Sequence, residues 1–424
     1  MKVVHINKKD SGGGAAVAVR RIHTALRKAG VDSRILAAER RDKSDPNICA
    51  TSEGAAGRAV DFYHFVAERL RILPHERTRD MRFNFSIGSD GRDIADHPLV
   101  RDADIIHLHW INQGFLSMGS LRSLARLGKP FVWTLHDMWP FTGGCHYAGS
   151  CLEFNERCGF CPYLRDASGD DLSSLHFRKK RELYEQMRLS VVGCSKWLNT
   201  LAQNSKLLGK KHCVSIPNPI DTSVFAPRDK GECRRALGLP EDKKLLLFGA
   251  AKVNDIRKGY RFLLEALRIV SDSFPNVARQ IELVIFGRGA DGDTTEEAGF
   301  RVHKMDYVGD TQTLVRLYNA ADTFVLPSLQ DNLPNTVAES MACGTPVVGF
   351  RTGGIPEMVR HGQTGYLSDA KNSLSLANGI YTMMFFDHAR RRQSVADHAK
   401  ELFGEETVAK KYIDVYEKAL RANV

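Results

Sequence analysis

Residues 327–359 read PSLQDNLPNTVAESMACGTPVVGFRTGGIPEMV, and their pattern decides the fold class. The stretch follows an apolar strand that ends at Leu326, and Pro334 stands where a helix would begin. The pattern predicts one short helix over residues 335–343, which the following Gly-Thr-Pro stops. A helix that begins at the carboxyl end of a parallel strand is an anion site, because its free N–H groups and its dipole point at the ligand.

The rest of the chain repeats this alternation of strand and helix, which predicts parallel sheets with right-handed crossovers. Two series of strands are predicted, the first at 3–6, 33–38, 105–110, 131–136 and 190–192, the second at 244–248, 281–286, 305–308, 323–326 and 346–350. Pro217 and Pro219 mark the break between the series. We therefore predict an α/β protein with two doubly wound, Rossmann-like domains at 1–214 and 215–404, and a C-terminal helix at 405–424 that packs back toward the first domain. Residues 49–100 are rich in Arg and permit no assignment.

The composition excludes several classes of protein. The 424 residues are 43% hydrophobic and 26% charged, which is typical of globular chains and not of disordered, collagen-like or coiled-coil chains. No apolar run approaches the roughly 20 residues of a membrane helix. The opening MKVVHIN already reads as a strand, which leaves no room for a signal peptide. We therefore expect a cytoplasmic protein.

The net charge is +10, and residues 1–200 carry most of it, with 30 Lys and Arg against 23 Asp and Glu. Such a bias favours an acidic partner, which could be a phosphate compound, a nucleic acid or an anionic membrane surface. No aromatic-basic motif supports a nucleic-acid partner. The charge would suit peripheral contact with an anionic inner membrane leaflet, and a solvated charged face is the plainer alternative.

Two carboxylates flank the predicted anion site. Asp331 precedes the helix and Glu339 lies one turn into it, eight residues later. Such a pair suits a ligand with both phosphates and hydroxyls, for example a nucleotide sugar. Ordinary helix capping by Asp331 and a solvated Glu339 form the alternative, and the residue types alone leave both interpretations open.

The segment resembles the acid-x7-Glu signature of retaining glycosyltransferases of family 4, which have the GT-B architecture of two domains facing across a cleft. The downstream GTPVV and GGIPEMV are typical of that family, and the resemblance covers nearly the whole chain. It implies that Asp331 contacts the donor sugar and Glu339 the ribose hydroxyls, with Asn332, Asn335 and Thr336 also binding the donor. Asp331 stands where the family usually has Glu, and NLPN replaces the usual GFG, which indicates a subgroup.

A second segment, FGAAKVNDIRKGYRFLLEAL at 248–267, predicts a strand, a loop and a helix. The resemblance implies that Lys252 and Lys258 hold the donor diphosphate. Lys252 stands where Arg is commoner, so bidentate pairing is lost while the point charge remains. Arg257 is a neighbouring spare cation, and solvated lysines on a loop are the alternative.

In the first half, Gly12-Gly13-Gly14 joins a strand to a helix but lacks the dinucleotide spacing, because Val17 takes the third glycine's place. The resemblance implies that Gly13 and Gly14 lie against the diphosphate and the acceptor, and a tight turn is the alternative.

Histidines mark the carboxyl ends of two first-half strands. His136 ends a strand, and the resemblance implies that it lies against the transferred sugar; a core or turn histidine is the alternative. His107 and His109 are predicted to face opposite sides of their strand, with His109 the weaker site candidate.

Two Asp-x-Asp triplets, at 102–104 and 291–293, have the metal-binding pattern of the other major glycosyltransferase architecture. The first precedes a strand and the second lies in a Gly-rich loop. We read both as solvated turns, and we expect no catalytic metal.

Four of the nine cysteines crowd into an insert at 143–164, in the order Cys145-x5-Cys151-x6-Cys158-x2-Cys161. An odd total without an export signal argues against a disulfide framework. Four thiolates with a C-G-F-C-P turn suit a closed tetrahedral zinc site. An iron–sulfur cluster uses the same ligand type, and free thiols are the third alternative. We predict a structural zinc ion that shapes the acceptor side.

These features predict a retaining glycosyltransferase that moves a sugar from a nucleotide diphosphate sugar to a hydroxyl of a glycan or lipid-linked acceptor in surface polysaccharide assembly. Lys252, Lys258 and the helix at Asn335 would stabilise the departing diphosphate. The alternatives are a phosphorylase or a sucrose-type synthase of the same fold, and a non-catalytic protein that binds nucleotides or glycans.

Overall fold

Parallel strands dominate the computed structural model, which describes residues 1–79, 82–289, 295–385 and 387–422. The strands run as follows: β1 Lys2–Lys9, β2 Asp32–Glu39, β3 Ile48–Ala50, β4 Ile105–Leu108, β5 Phe131–Leu135, β6 Leu189–Gly193, β7 His212–Ser215, β8 Lys244–Lys252, β9 Ile281–Arg288, β10 Thr295–Glu297, β11 Phe300–Met305, β12 Thr323–Leu326, β13 Val347–Phe350 and β14 Gly365–Ser368.

Helices follow most of the strands, as the crossovers of a parallel sheet require. They are α1 Gly14–Lys28, α2 Gly54–Ile72, α3 Pro98–Asp102, α4 Met118–Ala125, α5 Leu172–Glu185, α6 Lys196–Asn204, α7 Lys230–Ala236, α8 Tyr260–Ser273, α9 Pro275–Ala278, α10 Thr311–Ala320, α11 Asn335–Ala342, α12 Ile355–Met358, α13 Ser373–Met384, α14 His388–Phe403 and α15 Glu405–Arg421. Among the described residues, no helix has the length and apolar character that crossing a membrane demands.

The chain divides into two compact units, one of Met1–Pro217 with Val408–Val424 and one of Asn218–Thr407. The first unit holds a seven-stranded sheet in the order β3-β2-β1-β4-β5-β6-β7, with every pair parallel. The second holds a seven-stranded sheet in the order β10-β11-β9-β8-β12-β13-β14, in which only the β10–β11 pair of the described strands is antiparallel.

The central strands of both sheets are buried on both faces, which explains why they are continuous apolar runs. Every residue of β4, β5, β12 and β13 is buried. The helix α15 supplies Val408, Tyr412, Val415 and Tyr416 to a cluster on one face of the first sheet. The C-terminal residues therefore complete the core of the first unit.

One predicted strand is wrong, and several short strands escape prediction. The sequence predicts a strand at 305–308, whereas β11 occupies Phe300–Met305. The buried side chains of that strand are Phe300 and Val302, with the exposed Arg301 between them, so the strand follows this alternation and not the later apolar residues. The short edge strands β3 and β14 carry too few residues for a clear pattern, and the unassigned region at 49–100 contains α2.

Candidate active site

The loop between β12 and α11 sets the geometry of the site in the second unit. Pro334 precedes α11, and no side chain makes a capping hydrogen bond there. The Asn335 side chain accepts a hydrogen bond from Asn218 Nδ2 at 3.1 Å, and Thr336 follows in the first turn. The start of α11 therefore presents backbone N–H groups and a helix dipole at the carboxyl end of the sheet.

A second loop, after β8, presses against the first. Gly259 has φ +72°, and a Cβ there would overlap the carbonyl oxygen of Pro327. The Leu329 N–H donates to the Arg257 carbonyl oxygen at 2.7 Å. Only glycine allows this close approach, and it places the neighbouring Lys258 beside the loop of the acidic pair.

Lys258 and Asp331 form a close ion pair, in which Lys258 Nζ donates to Asp331 Oδ2 at 2.6 Å. Ser328 Oγ donates to the same oxygen at 3.1 Å. The Asp331 side chain is 10% exposed and that of Lys258 is 19% exposed. The carboxylate is thus engaged by a lysine and a hydroxyl instead of capping the helix.

Glu339 lies on α11 and is 5% exposed. The buried Tyr318, on α10, donates its hydroxyl to Glu339 Oε2 at 2.8 Å. Glu339 is therefore not the solvated carboxylate that the alternative interpretation expects. A buried carboxylate needs hydrogen-bond donors, and Tyr318 supplies one of them. Asn332 is buried in the same loop, 5% exposed.

Two other cations lie at the carboxyl ends of neighbouring strands of the second sheet, one predicted and one missed. Lys252 is exposed at the end of β8, where it lies in register with Arg288 of β9. Arg257, predicted as a spare cation, instead pairs with Asp255 at 2.8 Å. Sequence reasoning passed over Arg288, although its place at the carboxyl end of a strand is the signal that could have identified it.

In the first unit, the glycine loop links β1 to α1. Gly12 and Gly13 have φ +74° and +140°, and Gly13 precedes the helix. A Cβ on Gly13 or Gly14 would meet no described atom within 4 Å. The loop leaves open space at the carboxyl edge of the first sheet.

His136 directly follows β5 and is partly buried. Its Nε2 lies 3.1 Å from His109 Nδ1, and His109 Nε2 lies 2.9 Å from His5 Nδ1, so three rings form a hydrogen-bonded chain. Burial lowers the pKa of His136 to about 4. The ring is therefore neutral near pH 7 and can both donate and accept a hydrogen bond.

The prediction that His107 and His109 face opposite sides is wrong, because residues two apart on a strand face the same side. Their ring centroids are 4.1 Å apart. His5, His107 and His109 are buried, and their ligand atoms all lie within 4.8 Å of one another. Within the described parts of the chain, no other group of three or more His, Cys, Asp or Glu side chains brings its ligand atoms within this distance. The three histidines could hold a metal ion.

The four clustered cysteines line one small cavity and are all free thiols, and no three of their sulfur atoms lie within 4.8 Å of one another. Cys145, Cys158 and Cys161 are buried, and Cys151 is half-buried. The Gly143 N–H donates to Cys158 Sγ at 3.1 Å. Burial raises the pKa of Cys158 to about 12 and that of Cys161 to about 11, so without a cation these thiols stay protonated at neutral pH.

The two Asp-x-Asp triplets lie away from these groups or outside the described residues. Asp102 pairs with Lys2 Nζ at 2.9 Å, and Asp104 accepts from the Lys2 N–H at 2.7 Å, which anchors the start of β1. The triplet at 291–293 lies outside the described residues.

The predicted site residues divide between the units. Gly13, Gly14 and His136 lie at the carboxyl edge of the first sheet, and the second unit holds Lys252, Lys258 and the residues from Asp331 to Glu339. Of these, the structure joins Lys258 and Asp331 directly.

Comparison with known proteins gives two family matches. The family described as Glycosyltransferase Family 4 matches residues 12–224, and that described as Glycosyl transferases group 1 matches residues 242–384. The D-inositol 3-phosphate glycosyltransferase of Actinosynnema mirum is 30% identical over 392 residues, which cover 87% of this chain and 85% of that protein. The N-acetyl-alpha-D-glucosaminyl L-malate synthase of Bacillus anthracis is 25% identical over 50% of this chain, and the chain spans about half of that relative, 55% of its length.

Among solved structures, the sucrose-phosphate synthase of Thermosynechococcus elongatus matches with a TM-score of 0.64 at 19% identity, over 100% of both chains. At this identity the likeness concerns the fold alone. It confirms the predicted GT-B fold.

Proposed function

The chain belongs to glycosyltransferase family 4, and from this premise we propose that it transfers a sugar from a nucleotide diphosphate sugar to a hydroxyl of a glycan or lipid-linked acceptor, with retention at the anomeric carbon. The observation that carries the proposal is the Lys258–Asp331 pair in the loop before α11, with the buried Glu339 eight residues after Asp331, on that helix. A cation and a helix start that can bind an anion thus lie beside two carboxylates that can bind hydroxyls.

In this proposal the second unit binds the donor. Lys252, Lys258 and the N–H groups at the start of α11 stabilise the negative charge that develops on the departing diphosphate. Glu339 accepts hydrogen bonds from the ribose hydroxyls, and its bond from Tyr318 fixes the carboxylate's orientation. Asn332, Asn335 and Thr336 complete the donor contacts.

Asp331 and His136 hold the transferred sugar. The carboxylate of Asp331 accepts from sugar hydroxyls, and its ion pair with Lys258 links sugar recognition to diphosphate binding. The lowered pKa of His136 keeps the ring neutral, so the ring can lie against the sugar without adding charge. Gly13 and Gly14 leave the backbone open to the diphosphate and the acceptor. The acceptor attacks from the face that the diphosphate leaves, which gives retention without a covalent intermediate on the enzyme.

A screen of nucleotide sugars tests the proposal. The purified protein is incubated with UDP-, GDP-, ADP- and TDP-sugars, and release of the free nucleotide is measured with and without simple sugar acceptors. Glu339→Ala serves as the inactive control. Nucleotide binding without any release would favour a binding protein, and sugar 1-phosphate formed with inorganic phosphate would favour a phosphorylase.

The cysteine insert is proposed to bind structural zinc through Cys145, Cys151, Cys158 and Cys161. Four thiolates around Zn²⁺ carry a net negative charge and leave no open position for substrate. The Lys180 side chain, 1% exposed, donates to the carbonyl oxygens of Trp139 and Thr142. Burial lowers its pKa to about 7, while the charges of the nearby Cys158 and Cys145 thiolates would raise it and favour the ammonium form. A negatively charged zinc centre would balance this buried cation.

A cytoplasmic location with peripheral membrane contact is also proposed, and α2 supports it. Tyr63 and Leu70 are 65% and 62% exposed on this helix, close in sequence to Arg58 and Arg71. Exposed apolar and cationic side chains together suit an anionic lipid surface. Co-sedimentation with phosphatidylglycerol vesicles should be strong, and it should fall in the variant Tyr63→Ser/Leu70→Ser. Equal binding to neutral phosphatidylcholine vesicles would contradict the proposal that cationic side chains contribute to membrane binding.

A further inference from the structure

Four side chains form one chain of contacts across the first sheet. His5 Nδ1 lies 2.9 Å from His109 Nε2, and His109 Nδ1 lies 3.1 Å from His136 Nε2. The remaining nitrogen of His136, Nδ1, lies 3.8 Å from Cys194 Sγ, which suits a weak hydrogen bond with sulfur. The four residues come from β1 and from the ends of β4, β5 and β6, which lie side by side in that order. The chain therefore runs from the interior of the first unit to His136.

His109, the middle member, has a fixed backbone. Its N–H donates to the Ile6 carbonyl oxygen at 3.0 Å, and its own carbonyl oxygen accepts from Trp133 Nε1 at 3.0 Å. Ile6 belongs to β1 and Trp133 to β5, so both neighbouring strands hold this residue. The side chain of His109 is 3% exposed. Its ring is therefore a rigid support for the ring of His136.

The His136 ring is held at both of its nitrogens. Leu135 pairs with Gly193 in the sheet, so the residues that follow them, His136 and Cys194, leave neighbouring strands side by side. His109 takes the other ring nitrogen. An imidazole engaged at both nitrogens cannot turn about its side-chain bonds without breaking a contact. The orientation of this ring is thus set before any ligand arrives.

The contacts also link the proton positions on the three rings. Burial lowers the pKa of His5, His109 and His136, so each ring is neutral near pH 7 and has one N–H and one lone pair. Every contact needs a donor on one side and an acceptor on the other. The tautomer of one ring therefore fixes the tautomers of the other two.

The chain ends at His5, whose Nε2 is buried and has no hydrogen-bond partner among the described residues. A buried polar atom without a partner costs free energy. An apolar side chain would fill this core position without that cost. The contact from His5 Nδ1 to His109 is what distinguishes the histidine from such a side chain.

The neighbouring His107 stands outside the chain. Its nitrogens lie 2.7 Å from the Tyr416 hydroxyl and 2.8 Å from Thr134 Oγ1. A metal ion held by His5, His107 and His109 would take nitrogens that these contacts use. The hydrogen-bonded chain and a bound metal ion are therefore alternatives, and a test of one is also a test of the other.

We propose that His109 and Cys194 are positioning residues, which hold the His136 ring in one orientation and one tautomer beside the transferred sugar, and that His5 supports His109 from the interior. This inference rests on the proposed transferase function. The positioning residues act on the reaction through His136, so their loss should lower kcat and leave the binding of the nucleotide, which we assign to the second unit, unchanged.

Two variants of His109 separate the two ends of its ring. The amide of Asn reaches about as far as Nδ1 of a histidine, and the amide of Gln about as far as Nε2. His109→Asn therefore keeps a partner for His136, whereas His109→Gln keeps the partner for His5 instead. We expect His109→Gln to lower kcat about tenfold, and His109→Asn to lower it much less. Cys194→Ala should lower kcat by a smaller factor than His109→Gln, since a thiol bonds weakly.

Turnover is measured as release of nucleotide from whichever UDP-, GDP-, ADP- or TDP-sugar the wild type hydrolyses. Calorimetry with the corresponding nucleoside diphosphate should give the same affinity in every variant. His176→Asn is the matched control, because it replaces a buried histidine of α5 outside the chain. Thermal unfolding checks that all variants fold.

A spectroscopic measurement does not depend on turnover. In protein labelled with nitrogen-15 histidine, the ring-nitrogen signals of His136 report its tautomer, and the variant His136→Asn identifies them. These signals should change in His109→Gln and stay in His109→Asn.

Similar losses of kcat in His109→Asn and His109→Gln, or an equal loss in His176→Asn, would reduce the chain to a structural role and overturn the inference. A metal ion retained by His5, His107 and His109 after chelation would overturn it as well. A wild type that hydrolyses a donor while His109→Gln keeps the same kcat removes only the positioning role. No hydrolysis of any donor removes the transferase itself.

Discussion

Lys258 Nζ donates to Asp331 Oδ2 at 2.6 Å, and so joins two residues that lie 73 positions apart in the chain. One comes from the loop after β8 and the other from the loop after β12, and these two strands are neighbours in the second sheet. The lysine that we propose for the diphosphate and the acid that we propose for the sugar are therefore one coupled pair, and changing either one should alter both functions.

Replacing Lys258 by Ala should weaken nucleotide binding strongly. The change removes a cation from the diphosphate and leaves the mostly buried Asp331 carboxylate without its ion partner, for a loss of about 1.5–3 kcal/mol. Titration with UDP and GDP measures it, and Arg268→Ala, which removes an exposed cation of α8, is the control. Unchanged affinity for every diphosphate would remove Lys258 from the donor site.

Asp331→Glu should keep most of the activity, and Asp331→Asn should lose most of it. Glu retains the charge, and the flexible Lys258 side chain can yield to the extra methylene. Asn keeps the shape but leaves the Lys258 ammonium unpaired and weakens recognition of the sugar. Turnover of the two variants under saturating donor distinguishes them, and similar losses in both would show that size matters here more than charge.

Glu339→Ala should cut turnover severely while the protein stays folded, because we propose that this carboxylate binds the ribose hydroxyls of the donor. Tyr318→Phe should have a milder effect of the same kind, about 1–2 kcal/mol in nucleotide affinity, since it removes one hydrogen bond to a charged oxygen. Glu339→Gln is the shape-preserving control. Full activity in Glu339→Ala would contradict the proposed contact between this residue and the ribose.

Protein purified without chelator should contain about one zinc ion per chain, as a four-thiolate site requires. Chelation should lower the melting temperature, since metal binding and order of the insert are coupled. Elemental analysis should show zinc lost in Cys151→Ser/Cys158→Ser and kept in Cys213→Ser, a half-buried cysteine outside the cluster.

Other metal outcomes have distinct meanings. Iron with visible absorbance would indicate a cluster, and no metal at all would leave free thiols. Zinc that persists in the double variant would lie elsewhere, and the His5, His107 and His109 group would then be the candidate.

Stability should fall as the pH drops below about 6.5, the ordinary histidine value. Burial lowers the pKa of His23 and His136 to about 4, and lowers those of His5, His107 and His109 well below their ordinary value. Between about 6.5 and about 4 the unfolded chain binds more protons, so acid favours unfolding by about 1.4 kcal/mol per pH unit for each such ring.

Urea unfolding at pH 7.5, 6.5 and 5.5 measures this slope. His23→Gln should flatten it, because the amide can still bond Ser33 Oγ, which lies 2.8 Å from the ring, but does not titrate. The exposed His212→Gln is the control. Asp45, 3.6 Å from the His23 ring, moderates the effect by attracting the proton. A slope that is the same in all three proteins would exclude His23 from the pH response.

Much of the fold could be predicted from the local pattern of apolar residues. Particular wrong predictions show which features this pattern does not determine. Apolar runs located the central strands because both faces of those strands are buried. The same rule misplaced the strand at β11, where burial alternates. His107 and His109 are a different case. The two-residue period of a strand correctly places them on the same face, and the prediction applied that period wrongly.

The candidate site divides in the same way. The spacing of Asp331 and Glu339 and the glycine before α8 could be recognised, since each depends on residues close in sequence. The place of Arg288 at the end of a strand could be recognised in the same way, but its position beside Lys252 could not, because that depends on the register between β8 and β9. The pairing of Arg257 with Asp255 could not be predicted, because it depends on side-chain geometry.

By itself the sequence determined the class of the two sheets, the acid-x7-Glu segment and the grouping of four cysteines, all of which are patterns of residues close along the chain. Only the tertiary structure decided that Lys258 reaches Asp331, that His5, His109 and His136 form one hydrogen-bonded chain, and that Lys8 is buried with no carboxylate of the described residues within ion-pair distance. The physical reason is that these contacts depend on which strands lie side by side. Strand order follows from the packing of the whole unit, so it cannot be predicted from local periodicity.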